Sequence, residues 1–304
     1  MENYKFYIRK ATLLLGDDQR AIDLSQLHYK FSVKMADVTH PQYAVFRIYN
    51  MSDDTKAQIK ANEYRKILFS AGYENGQFGT IFDGEVIQGL SGRESPVDTY
   101  LELLCAVGHS SYQAGMNQTL AAGASSGDVA QAAAAAMGRP LLDQSTDNGV
   151  KMPRGQVLYG PAHEVLTTAA TESGATWHYE ASGVAVIDAQ KPKAGDDIPI
   201  NMHTGMVGWP LQTQEGVNVR CLLNPRIAVG LVIDLYNSSI QQAQISPARN
   251  FVNTLPKLDP GGKYKVYYFE HSGDTRGNEW YTDIIGLSLS NAGGLSTLYQ
   301  RGLS

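Results

Sequence analysis

Along HYKFSVKMA (28–36) apolar and polar residues alternate imperfectly, and the same two-residue beat returns in AVFRIYNMS (44–52). Such alternation puts one face of a strand on a core and the other in water. It recurs in YKFYIRKATLLL near the start, then in KILFSAGY, GTIFDGEVIQGLS and DTYLELLCAVG, up to about residue 108. The pattern breaks at SDDTKAQIKANEYRKI (52–67), where Ser52 or Asp53 can cap a short helix with acids at its positive end. Several short strands at close spacing with one short helix predict a small barrel or sandwich.

From about residue 109 the beat changes. SSGDVAQAAAAAMGRP predicts a helix capped by Ser125 or Ser126, propagated by alanines and stopped by Gly138 and Pro140. A second helix is predicted in YGPAHEVLTTAATESG, with Pro161 in its first turn and Gly174 past its end. ATWHYEASGVAVIDA predicts a hairpin turning at Ser182-Gly183. This small α/β unit stands between two β-rich regions. QKPKAGDDIPINM reads as a linker, after which strand patterns resume in GVNVRCLLNP, AVGLVIDLYN, KYKVYYFEH and WYTDIIGLSLS. Residues 238–262, SSIQQAQISPARNFVNTLPKLDPGG, are polar and hold three prolines, yet Phe251, Val252, Leu255 and Leu258 suit packing against a neighbouring chain or back over the segment's own barrel.

Composition narrows the function classes. Formal net charge is −5, without the basic surplus that a general nucleic-acid binder uses against phosphates. Most of the imbalance lies in residues 109–200, with nine acids and five bases. Cys105 and Cys221 sit far apart in apolar runs and read as small buried hydrophobes rather than a disulfide framework or a zinc site. MENYKFYIRK lacks the apolar core of a secretory signal and no run reaches membrane-spanning length, so a soluble protein made in a reducing compartment is expected.

HSGDTRGNEW (271–280) gathers a histidine, two acids, an arginine and a tryptophan around two glycines. Between two predicted strands it reads as a hairpin connection, with Gly273 and Gly277 supplying positive φ and Asp274 pairing with Arg276. Catalysis needs a nucleophile, a base and an orienting group, or metal-ligand spacing, and the loop has neither. GASSG (123–127) lacks the lysine of a phosphate loop. His109, His163, His178 and His203 share no helical face or ligand spacing. Asp53 and Asp54 complement a helix start, Asp83 and Glu85 fall on the solvated side of a strand, and Asp196 and Asp197 belong to the linker. No catalytic, cofactor-binding or metal-ligating residue is assigned, no cofactor is expected, and the chain is not expected to be an enzyme.

Four stretches in series, FRIYNMSDDTKAQI (46–59), AGYENGQFGTIFDGEV (71–86), GMVGWPLQTQEGVNVRCLLNPRIAVG (205–230) and YFEHSGDTRGNEWYTDI (268–284), resemble baseplate hub proteins of contractile-tailed bacteriophages. The resemblance implies a mainly β fold with an α/β insert: two tail-tube-like β-barrels (1–108 and 201–304) and a small α+β domain (109–200). It implies a homotrimer whose six tube-like units meet the hexameric tail tube above and the trimeric central spike below. Its expected partners are further copies of itself, the tail tube, spike and tape measure proteins and the baseplate wedge proteins, with DNA passing through the channel without specific binding and no membrane involved. The expected location is the virion tail baseplate, assembled in the host bacterial cytoplasm. In the resemblance Trp280 anchors the 271–280 connection to the barrel or to a neighbouring subunit. A tail-associated cell-wall hydrolase, marked by paired carboxylates in a cleft, and a carbohydrate-binding adhesin using the tyrosine-rich strands are the alternatives.

Overall fold

Alternation decides which face of each strand is buried. In a computed structural model Tyr29, Phe31, Val33 and Met35 point inward from one strand and Ala44, Phe46 and Ile48 from the next. The structure describes residues 6–17, 20–61, 63–144, 151–189, 191–213, 215–242, 255 and 257–289. Its first part forms β1 (Arg9–Gly16), β2 (Ala21–Asp23), β3 (Tyr29–Ala36), β4 (Gln42–Tyr49), β5 (Lys66–Tyr73), β6 (Phe78–Arg93) and β7 (Thr99–Val107). Between β4 and β5 lies helix α1 (Asp53–Lys60), capped by the Ser52 hydroxyl, which accepts from the Thr55 amide.

The helical unit follows as α2 (His109–Tyr112), β8 (Gly115–Leu120), α3 (Ser126–Ala136), β9 (Leu141–Gln144), β10 (Gln156–Pro161), α4 (Ala162–Glu172), β11 (Ala175–Glu180) and β12 (Gly183–Asp188). The expected helix ends are present. Ser125 and Asp128 form a reciprocal capping box on α3, Gly138 follows at φ +66°, and Gly174 ends α4 at φ +70°. Pro161 stands one residue earlier than expected, as the cap of α4 rather than in its first turn. The hairpin turns at Ala181-Ser182, with Gly183 already in β12. β8, β9 and β10 lack strong alternation, which is why the sequence pattern did not announce them, while β12, predicted in the hairpin, also pairs in parallel with β9.

The chain returns through β13 (Ile198–Pro199), β14 (Met206–Thr213), β15 (Gly216–Leu222), β16 (Val232–Asp234), β17 (Gln241–Gln242), β18 (Lys263–Asp274) and β19 (Trp280–Ser288). AVGLVIDLYN thus supplies only the short β16, and the expected linker contributes β13 with Ile198 and Ile200 buried.

Fourteen of these strands make one continuous sheet. Its path runs β17, β14, β15, β19, β18, β3, β4, β7, β6, β5, β1 and β2, with β16 beside β18 and β13 beside β16. The first half curls until Phe69 on β5 meets Phe31 on β3, ring centres 4.6 Å apart, and Phe46 on β4 at 5.1 Å. Among the described residues no pairing closes either half into a ring. The architecture is mostly β with a helical insert, as expected. Cys105 and Cys221 are buried free thiols, and burial raises both, Cys221 to about 12, so neither is a nucleophile. Of the segment 238–262, residues 243–254 and 256, including Phe251 and Val252, lie outside the described residues. Leu258 packs on the core partly buried.

Candidate functional site

Two seams and one open strand face are where this molecule can do work. The first seam joins the two halves of the sheet. Residues Tyr268–Asp274 of β18 pair antiparallel with Lys30–Ala36 of β3, and β19 flanks β18 on its other side. HSGDTRGNEW spans this seam, and only residues 275–279 form its turn. His271 lies inside β18, fully buried, with its Nδ1 2.8 Å from the Thr282 hydroxyl. Burial pushes it down to about 3, so it is a neutral core group and not a ligand.

The glycines serve space rather than positive φ. Neither Gly273 nor Gly277 has a left-handed backbone; a Cβ on Gly273 would lie 2.5 Å from Phe31 and 2.8 Å from Trp280, and one on Gly277 2.6 Å from Asp274. The expected Asp274–Arg276 side-chain pair is also replaced. Asp274 accepts from the amides of Arg276 (2.9 Å) and Gly277 (2.8 Å) and lies 2.8 Å from His28 Nε2. Arg276 instead donates its guanidinium to the Gln26 carbonyl at 3.4 Å. An Asx-type turn satisfies the carboxylate from the backbone before a side chain can reach it. Burial works against that charge, yet these donors hold the Asp274 carboxyl below its ordinary value. Trp280 anchors within its own chain: it is buried, edge-on to Phe31 at 5.3 Å, beneath the Arg9 guanidinium. Arg9 in turn donates to the carbonyls of Gly277 and Asn278 at 2.8 and 2.9 Å.

The second seam holds the insert to the sheet and is polar. Alternation in TWHYE sends Thr176, His178 and Glu180 to one face of β11, toward Asp37 just after β3. Thr176 donates to Asp37 Oδ2 at 2.9 Å, His178 Nδ1 lies 3.4 Å from Asp37 Oδ1, and His178 Nε2 lies 3.3 Å from Glu180 Oε1. Lys193 pairs with Glu180 at 2.6 Å. From β18, buried Lys265 donates to the carbonyls of Asp188 (2.9 Å) and Ala189 (3.3 Å). His178 shares no helical face or ligand spacing with the other histidines; the signal in the sequence was the two-residue spacing of Thr, His and Glu in a strand.

The other weighed residues stay apart. His163 stacks on Tyr112 at 3.9 Å, His203 is exposed on a turn, Asp53 pairs with Lys56, and Asp197 pairs with Lys263. Ser125 of GASSG is occupied in its capping box. Among the described residues no three His, Cys, Asp or Glu side chains form a metal site. The open face belongs to β14. Val207, Trp209 and Leu211 are 38, 63 and 37% exposed, and among the described residues β17 pairs with Leu211 and Gln212 alone on the outer side of that strand.

The family model described as Baseplate hub gp41 matches residues 10–244. The 43 kDa tail protein of prophage MuSo2 from Shewanella oneidensis has a similar structure, with TM-score 0.59 and 7% identity over 93% of this chain and 98% of that one. A tail protein from Neisseria meningitidis MC58 gives TM-score 0.58 and 9% identity over 92% of this chain and 96% of its own. At those identities the likeness is one of fold. No curated protein matches the sequence.

Proposed function

The chain belongs to the baseplate hub gp41 family, and we propose that it acts as a homotrimer joining a hexameric tail tube to a trimeric central spike. A structural role in the phage baseplate, as a component of the virion tail, comes with that membership. The observation that supports the finer reading is the first seam. Seven registered pairs between β3 and β18 fuse the two halves of the sheet into one wall. Two tube-like units per chain, taken three times, match a six-fold ring without a change of sequence. The apolar row on β14 supplies a head-to-tail contact that closes such a ring. Wedge proteins meet the outside of the assembly, while tape measure and DNA pass through the lumen, where a net charge of −5 gives phosphates no general hold. The chain itself performs no catalysis, and its assembly takes place in the host cytoplasm.

Native mass spectrometry of the purified chain, alone and mixed with its spike protein, tests this reading. A trimer in either condition is the expected result; a monomer in both would overturn it. Trp209→Lys is expected to shift the population toward monomer while leaving the melting temperature of the monomer unchanged. Release of soluble fragments from peptidoglycan by the wild-type chain would move it into the hydrolase class.

A further inference from the structure

The polar seam contains a histidine in an unusual position. A neutral imidazole has one N–H donor and one acceptor nitrogen; only the imidazolium donates from both. Both nitrogens of His178 lie beside carboxylate oxygens, Glu180 Oε1 at 3.3 Å in hydrogen-bond geometry and Asp37 Oδ1 at 3.4 Å outside it. A neutral ring would leave an uncharged nitrogen beside the Asp37 carboxylate, where the two side chains are 1 and 6% exposed. Charged groups come to this seam from both sides. From the sheet come Asp37 and Lys265, from the insert Glu180 and Asp188, and from the segment after β12 comes Lys193. Lys191 pairs with Asp188 at 3.4 Å, so the charges that bear directly on the ring are those of the two carboxylates beside it, Asp37 and Glu180.

We propose that His178 is an imidazolium clamp between insert and sheet, so that the docking of the insert is proton-dependent, closed in mild acid and loosened in alkali. Inside the β3–β18 ladder His271 is sealed off beside a threonine hydroxyl and Phe269, and the His28–Asp274 contact lies only at the ladder's turn end. The device therefore acts on one seam of the molecule and leaves the other fixed. What it regulates is the freedom of the insert relative to the wall.

The direction follows from linkage. Burial works against the charge on His178, but the two carboxylates raise its affinity for the proton above the ordinary value of 6.5. A raised folded-state value stabilises fully below 6.5 and loses that contribution as pH rises through the folded value. On the acid side Glu180, held down to about 2 by His178 and Lys193 against its burial, and Asp37, also lowered, keep contributing until pH falls through their folded values. The clamp is thus closed from moderately acidic pH to 6.5 and opens above it.

Two measurements on the full-length protein test the device. Histidine-selective labelling resolves seven histidines by NMR, with His178 assigned by its loss in His178→Gln. Its titration midpoint is expected above 6.5, with both ring nitrogens protonated at pH 6; a midpoint at or below 6.5, or a neutral tautomer at pH 6, overturns the proposal. Hydrogen exchange of residues 175–188, normalised for intrinsic rates, is expected to be at least threefold faster at pH 9 than at pH 6 in the wild type, with residues 268–274 unchanged. Equal protection of 175–188 at both pH values overturns the proposal even if the midpoint is high. Because both readouts are taken on the wild-type chain, instability of the variant does not blunt the test.

Discussion

Gly273→Ala adds one methyl group at the crowded centre of the β3–β18 seam. The new Cβ would stand 2.5 and 2.6 Å from two atoms of the Phe31 ring and 2.8 Å from Trp280. Ordinary van der Waals contact needs about 3.5 Å or more, so the rings must retreat by nearly an ångström. Neither has room. Both are buried, they meet edge to face, and Trp280 is closed from above by Arg9, itself tied to two turn carbonyls. Overpacking of a well-filled core costs about 1–3 kcal/mol, and two rigid rings place this case near the upper end. At roughly 2–4 °C per kcal/mol for a chain of this general size, a cost of about 2–3 kcal/mol should lower the melting temperature by about 4–12 °C. Gly79→Ala is the control: its Cβ would meet only Pro225, at 3.5 Å, and its φ is not positive. Loss of unfolded-state freedom should leave that variant equal to or about 0.4–1 kcal/mol more stable than wild type. Differential scanning calorimetry of the three proteins decides the matter. A Gly273→Ala transition within about 1 °C of wild type, less than the smallest shift this cost allows, would refute the space-filling account of the seam.

Asp274→Ala removes an acceptor for two backbone amides and a partner of His28, and should cost about 1.5–3 kcal/mol in thermal or urea unfolding. Arg276→Ala, losing one long bond at the surface, should stay within about 0.5 kcal/mol, so equal losses would restore the side-chain pair as the reason for both residues. The Asp274 contribution is present above its ordinary value of 3.8 and should fade as pH falls through its lower folded value, a loss that Asp274→Ala would not show. Ser125→Ala should cost about 1 kcal/mol through the α3 capping box, measured by urea midpoint at unchanged slope. In an NMR titration His271 should stay neutral from pH 5 to 9, because burial holds it near 3; a midpoint above 5 would mean that water reaches the seam.

Much of the fold was legible because local chemistry decided it. KILFSAGY became β5 residue for residue, and the caps at Ser52 and Ser125 stand where hydroxyls precede helical runs. What escaped were elements whose reason lies elsewhere in the chain. β10 carries Val157 and Tyr159 outward into solvent, so its sequence pattern does not mark a buried face. β14 breaks its alternation at Gly208, with φ +73° and a register shift before Leu211, leaving Trp209 outside where a core tryptophan would be expected. The glycines of HSGDTRGNEW suggested turn dihedrals, since a glycine's φ and its missing Cβ leave the same mark on a sequence. Only the positions of Phe31 and Trp280, brought in by β3 and β19, show that the missing Cβ is the reason at Gly273.

The two seams differ in the physics that joins them, and that difference bears on how a hub can work. Between β3 and β18 the joint is a hydrogen-bonded ladder sealed by rings, held mainly by main-chain pairing and close packing. Between insert and sheet the joint includes Asp37, His178, Glu180, Lys193 and Lys265, whose attraction depends on charge state and on exclusion of water. Removing the charge of Asp37 or His178, its most buried members, leaves the other without its partner, whereas Glu180 and Lys193 lie nearer the solvent. That cluster joins residues 139 positions apart, Asp37 and Thr176, which is why no local pattern could announce it. A wall that must keep its register while an attached unit accommodates different neighbours is served by this division: main-chain pairing and aromatic packing where rigidity is needed, titratable side chains where adjustment is.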